Sequence, residues 1–135
     1  IGLVSPGGVH SHQDHAVALA KILTDAGVSA LVHALTDGRD TPPQSAGDDL
    51  QRLAAALPPA VRVATVVGRY YAMDRDKRWE RVQKAYDAMV AAEGPRFPDP
   101  QALGKLMDDE TWMSADEAVA YGIVSRVIAR QKDLA

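Results

Sequence analysis

The sequence predicts an α/β fold in three layers, αβα, around a mostly parallel sheet of about four strands. Three observations carry that prediction. Short apolar runs that end in Gly- or Asp-containing turns alternate with longer stretches of helical period. The helical stretches carry start and stop residues of their own. At 135 residues the chain suits a single domain, 1–135, with one sizeable core. Strands that alternate with helices are joined by right-handed crossovers, which set all the strand-to-helix turns at one edge of the sheet.

The elements follow in order. Ile1 to Ser5 reads as a first strand and stops at Pro6-Gly7-Gly8. Ser11 is placed to cap a helix whose apolar positions are Ala16, Leu19, Ala20, Ile22 and Leu23, and Gly27 to end it. A second strand, about Ala30 to Leu35, stops at Thr36-Asp37-Gly38. Ser45, with Asp48 and Asp49 in the first turn, starts a helix through Leu50, Leu53 and Leu57 that Pro58-Pro59 closes. The third strand is Val61 to Val67, left at Gly68. In the third helix Trp79, Val82, Tyr86, Met89 and Val90 form one apolar stripe, with Lys77, Arg78, Arg81 and Lys84 mostly off it, and Gly94-Pro95 ends it. The Pro-rich stretch from Arg96 to Pro100 reads as a joint. After it come a short helix from Gln101 to Met107, a capping box at Ser114 and Glu117, and a last strand from Ile123 to Ile128.

Composition excludes several function classes. The chain has no cysteine, so disulfides, thiolate chemistry and Cys-ligated zinc are ruled out, and a reducing, cytoplasmic setting fits. A net charge of −3 argues against a nucleic-acid partner. No run approaches the roughly 18 apolar residues of a membrane span, and no basic leader precedes the first strand. A start at Ile1 suggests an excised piece or a recombinant product.

Ligands of open parallel sheets bind outside the carboxyl ends of the strands. Those ends carry GGVHSHQDH, DGRDTPP and GRYYAMDRDKRW, which would pool His10, His12, Asp14, His15, Arg39, Asp40, Arg69, Arg75 and Asp76 on one rim. Arginine forks suit phosphate and carboxylate oxygens, so the rim reads as a cationic cup for a small, doubly anionic ligand. Gly7 and Gly8 allow close backbone approach, and the helix behind them adds amides. Each part also has a plainer reading. The His-x-His-x-Asp-His string reads as turn and capping chemistry and not as a metal site, since metal ligands must converge in space as well as cluster in sequence. Asp37 and Asp40 can build an Asx turn. Lys77 and Arg78 read as a solvated first turn, and Tyr70 and Tyr71 as packing residues.

The strings LVSPGGVHSHQDH, HALTDGRDTPP and VVGRYYAMDRDKRWERVQKAYDAMV, from Ile1 to about Pro100, closely resemble the cofactor-independent phosphoglycerate mutases. The resemblance implies a substrate-binding phosphotransferase domain. It implies that His10 contacts the phosphoryl group of the substrate and that Arg39, Arg69 and Arg75 hold the carboxylate and phosphate of phosphoglycerate. Asp40 would be the acid/base at the glycerate hydroxyl. The family's serine nucleophile and its two manganese ions belong to another domain, so no cofactor is expected in this chain.

DDETWMSADEAVAYGIVSRVI, about Leu106 to Ile128, resembles the C-terminal end of Clp-type serine peptidases, including phage head-maturation relatives. Glu110 falls at their acidic triad position, and Ser125 where they usually carry Asp. The two resemblances together suggest an engineered chimera joined at the Pro-rich seam. The expected function is a truncated substrate-binding domain that binds phosphoglycerate, or another small phosphate or carboxylate anion, weakly and lacks a complete catalytic site. Mutase activity with the missing domain supplied, and a scaffold that binds nothing, are the alternatives.

Overall fold

The computed structural model describes residues 1–97. Three strands, β1 (Gly2–Val4), β2 (Leu31–Thr36) and β3 (Arg62–Gly68), pair in parallel in the order β1-β2-β3. A parallel sheet is covered on both faces, so its strands must be apolar on both. Successive residues divide accordingly. Val4, Ala34 and Val66 pack with Val17, Leu50 and Leu53 on one face, while Leu3, Leu35 and Val67 pack with Tyr71, Ala85 and Ala88 on the other. The predicted three layers are present. The expected fourth strand, the capping box at Ser114 and the Clp-like segment lie outside the described residues.

Helices α1 (Gln13–Asp25) and α2 (Ala46–Ala56) cover the first face. Leu50 and Leu53 of α2 are fully buried, each contributing about 1.5–3 kcal/mol of transfer free energy. His12, and not Ser11, is the N-cap of α1: its Nδ1 accepts the Asp14 amide at 3.2 Å. Ser11 instead donates its hydroxyl to the Leu3 carbonyl at 2.8 Å, tying the loop back to β1. Gly27 ends α1 as expected, with φ of 72°. Val28 N–H reaches the Leu23 carbonyl and Gly27 N–H the Thr24 carbonyl, the paired bonds of a Schellman motif.

The second face is covered by α3 (Arg69–Ala72), a single turn that the sequence reading did not anticipate, and α4 (Trp79–Tyr86), which continues as a π-helical turn over Asp87–Ala91. The apolar stripe expected here is corrected in part: Met89 packs against the core and Val82 is half-buried. Trp79, Tyr86 and Val90 are mostly exposed, and the buried positions are Ala85 and Ala88. Small residues let the helix backbone approach the sheet, which bulky ones at the same angle would hold away. In α1, likewise, Leu19 and Ile22 are exposed, and Gln13, Val17 and Ala20 are the buried positions.

One irregularity fixes the far edge of the sheet. Val32 pairs with Val63 but His33 pairs with Thr65, so β3 carries one extra residue, Ala64, at a bulge. Beyond it the strand ends align, with Val4 opposite Thr36 and Thr36 opposite Gly68. Without the bulge every later residue of β3 would shift by one and turn to the opposite face.

Candidate functional site

The residues that follow those aligned ends are Ser5, Asp37 and Arg69, spaced 32 apart, and they form a bonded row. Ser5 Oγ donates to Asp37 Oδ2 at 2.8 Å, and Arg69 Nη1 donates to Asp37 Oδ1 at 2.6 Å. The same Arg69 nitrogen donates to Asp40 Oδ2 at 2.7 Å. All three members of the row are largely buried, with the Asp37 side chain only 3 % exposed. Asp37 Oδ1 also accepts the amides of Arg39 and Asp40, the Asx turn that the sequence offered as a plainer reading. Burial pushes the Asp37 carboxyl up, but the Asp40 amide, the Arg69 guanidinium, the Ser5 hydroxyl and the Arg39 amide outweigh it and hold the pKa at about 2. The two carboxylates in turn raise the pKa of Arg69 above its ordinary value.

Gly7 makes room for this arrangement. A Cβ there would lie 3.2 Å from the Asp40 carbonyl oxygen, 3.3 Å from the Asp40 Cβ and 3.3 Å from Ser5 Oγ. Gly38 turns the β2 exit with φ of 81°.

Above the row opens a cleft of about 470 Å³. His10, Arg39, Arg69 and Arg75, all expected at one rim, line it together with Tyr70 and Arg81. Asp40 reaches the cleft through its partners, with its Oδ2 3.8 Å from His10 Nε2. His12, Asp14 and His15 do not join them. His12 and His15 line a separate, mostly apolar groove beside β1 with Ile1, Leu19 and Leu31, and Asp14 is exposed beside His12. Capping α1 turns that string away from the cleft, so only its first histidine arrives. Among the described residues no group of three His, Asp or Glu side chains is placed to hold a metal ion.

The expected cationic cup is also corrected in its charge balance. Asp37, Asp74 and Asp76 share the wall with the four arginines. Arg69 is committed to Asp37 and Asp40, and Arg81 to Asp74 at 2.8 Å. Arg39 and Arg75 have no ion pair among the described residues. Among the described residues, the arginine charge left unpaired in the cleft therefore sits on two side chains.

Sequence reasoning missed Arg81, which it set only mostly off the apolar stripe of the third helix. Its side chain is only 13 % exposed, and its guanidinium lies 4.0 Å from the centre of the Tyr70 ring. Tyr70, read as packing, is 43 % exposed and forms part of the wall, whereas Tyr71 packs in the core as expected. Lys77 and Arg78 are exposed as expected, with Arg78 paired to Glu80.

Residues 1–133 match the family model described as the BPG-independent PGAM N-terminus (iPGM_N). The chain is 69% identical over 103 residues to the 2,3-bisphosphoglycerate-independent phosphoglycerate mutase of Rhodopseudomonas palustris, covering 76% of this chain and 20% of that protein. Against the enzyme of the same name from Paracoccus denitrificans it is 51% identical over 124 residues, 92% of this chain and 24% of the relative. The fold resembles Leishmania mexicana phosphoglycerate mutase, solved at low cobalt concentration, with a TM-score of 0.78 and 28% identity over 98% of this chain and 25% of that one. The chain thus spans about a fifth to a quarter of the length of these relatives.

The family match runs on through 106–128, the segment whose likeness to Clp-type peptidases suggested a chimera. No comparison supports a peptidase-like segment or a fusion, and one family accounts for nearly the whole sequence. With the parallel sheet, the row at its strand ends and the relatives all in agreement, the chain belongs to the BPG-independent phosphoglycerate mutase N-terminal family.

Proposed function

We propose that this chain holds phosphoglycerate, as a small phosphate- and carboxylate-bearing anion, in the cleft at the strand ends. The observation that carries the reading is the pairing of two uncommitted arginines, Arg39 and Arg75, with His10 around a floor of ion-paired Arg69. Arginine forks take phosphate or carboxylate oxygens in bidentate fashion, and two such anionic groups match two free guanidinium groups. In this reading His10 meets the phosphoryl group, and Arg69 keeps its remaining donors for the ligand. Asp40, 16 % exposed and close to His10, handles the hydroxyl proton of the glycerate.

Charge-assisted contacts contribute about 1.5–3 kcal/mol each, against roughly 4–15 kcal/mol lost on association. Three or four of them in an open cleft give a Kd on the order of millimolar. Titration with 3-phosphoglycerate, followed by backbone amide shifts, tests this. Saturating shifts at residues 10, 39, 69 and 75 are expected. Shifts confined to other surfaces, or none, overturn the reading and leave a scaffold without a ligand.

Membership in a mutase family supports a second, wider reading: interconversion of 3- and 2-phosphoglycerate once the remaining length of the relatives is supplied. Cytoplasmic work on a small metabolite, with neither nucleic acid nor membrane as partner, goes with both readings. Among the described residues no helix is long and apolar enough to cross a membrane. In that wider reading the acceptor of the phosphoryl group and the manganese ions belong to the part beyond this chain. The isolated chain, given manganese and 3-phosphoglycerate, forms no 2-phosphoglycerate; its appearance would contradict the division of labour.

A further inference from the structure

The loop between α3 and α4 carries Arg75 to the cleft, and its hydrogen bonds converge on one carboxylate. Asp74 Oδ2 accepts the amides of Asp76 at 3.1 Å and Arg78 at 2.8 Å. Its other oxygen, Oδ1, accepts Arg81 Nη1 at 2.8 Å. Asp74 is 1 % exposed as a side chain although the loop around it is open. Burial pushes its carboxyl up, but the amides of Arg78 and Asp76 and the Arg81 guanidinium outweigh that and hold it below the usual range.

Within this loop Lys77 adopts φ of 58°, a left-handed conformation that a residue with a side chain takes only at a cost. The backbone is thus bent tightly around Asp74, with Arg75 between two acidic neighbours and with no ion pair among the described residues. Arg81, in the first turn of α4, closes the arrangement from the helix side. One face of its guanidinium covers the Tyr70 ring, and the same group lies 3.6 Å from Asp76. Arg81 therefore ties three parts of the cleft wall together: α3 through Tyr70, the loop through Asp74 and Asp76, and α4 through its own backbone.

We infer that Arg81 is a positioning residue for Arg75: it clamps Asp74 against Tyr70 and so fixes the loop that presents the Arg75 guanidinium to the anion. The inference rests on the proposed anion-binding cleft. It differs from counting Arg81 as one more ligand contact, because Arg81 spends its charge on Asp74. An Arg81 that acts through Arg75 has an effect only while Arg75 is present.

That dependence gives the test. The whole chain is compared as Arg75→Ala, Arg81→Gln, the double variant and Arg81→Lys, each titrated with 3-phosphoglycerate and with inorganic phosphate. Arg75→Ala and Arg81→Gln each weaken 3-phosphoglycerate binding about tenfold, as loss of one charge-assisted contact does. The double variant is no weaker than Arg75→Ala alone, and Arg81→Lys, which keeps a charge for Asp74, recovers part of the loss. Multiplying effects, about a hundredfold for the double variant, overturn the inference and make Arg81 a direct contact.

Amide exchange at Asp76 and Arg78, measured without ligand, supplies an independent arm. Both amides exchange faster in Arg81→Gln and are largely restored in Arg81→Lys. Unchanged exchange also overturns the clamp, even where the unmutated chain binds no phosphoglycerate at all, an outcome that defeats the cleft reading separately. Should Arg81→Gln fail to fold, Arg81→Lys and Tyr70→Leu carry the comparison: slower loop exchange in Tyr70→Leu than in Arg81→Lys contradicts a clamp built on both contacts.

Discussion

The floor and the rim of the cleft use the same side chain in opposite ways. On the floor, Arg69 is 10 % exposed and makes two short ion pairs, to Asp37 and Asp40, within a row that begins at buried Ser5. On the rim, Arg39 and Arg75 are exposed and unpaired among the described residues. A buried charge must be matched because removing it from water costs several kcal/mol, whereas an exposed one keeps its hydration until a ligand replaces it. The floor is therefore a structural joint between three strand ends, and the rim is where charge remains available. Counting arginines in the sequence does not separate these roles.

The sharpest way to break the comparison is to remove the hub of the floor. Asp37→Ala leaves Arg69 with one carboxylate and Ser5 and two amides without their acceptor. A loss of about 2–4 kcal/mol of unfolding free energy is expected, measured by urea denaturation. A cost below that of a rim substitution would mean that the strand ends are held together by something other than this row. Gly7→Ala comes next. The added Cβ meets Asp40 and Ser5 at 3.2 to 3.3 Å, so the Asp40 backbone must give way. The expected cost is about 1–2 kcal/mol, with Arg69 displaced from Asp40 and phosphoglycerate binding weakened in parallel.

These two substitutions also mark how far the sequence could be read. The β-α alternation was legible because a strand buried on both faces is a short apolar run, and because Gly27 and Pro58-Pro59 end helices by stereochemistry alone. Gathering His10, Arg39, Arg69 and Arg75 follows from that alternation, since parallel strands send all their exits to one edge. The pairing of Arg69 was not legible. It depends on the extra residue Ala64, which brings Arg69 level with Asp37, and no residue type announces a bulge. The inner face of the last helix is hidden for a related reason. Side-chain size points to Trp79, while contact with the sheet favours Ala85 and Ala88 and leaves Trp79 outside. Arg81 is hidden in the same way, because an apolar stripe drawn through Trp79 leaves it to one side.

Acid separates floor from rim without a mutation in the rim. The Asp37 pKa is about 2 in the folded chain against an ordinary 3.8. A depressed carboxylate contributes stability that is fully present above the unfolded value and lost as pH falls through the folded one. Between about pH 4 and pH 2 the floor thus loses roughly 1–2 kcal/mol. Asp49 works in the other direction: burial first of all raises its pKa, so its protonation favours the fold. The difference in acid sensitivity between the unmutated chain and Asp37→Asn isolates the floor. Equal acid profiles for the two would show that Asp37 titrates as an ordinary surface group.

The smallest effect on stability is expected at the rim, and it is the most informative about function. Arg39→Ala and Arg75→Ala remove side chains with no ion pair among the described residues, so each should change unfolding free energy by less than about 0.5 kcal/mol. Each should nevertheless weaken 3-phosphoglycerate binding about tenfold. Arg69→Ala should lower both quantities, since its charge serves the joint before it serves a ligand. Denaturation and amide-shift titration on the same three variants place them on two axes. If Arg39 and Arg75 fall beside Arg69 on the stability axis, their charges are spent inside the fold, and the division between floor and rim fails.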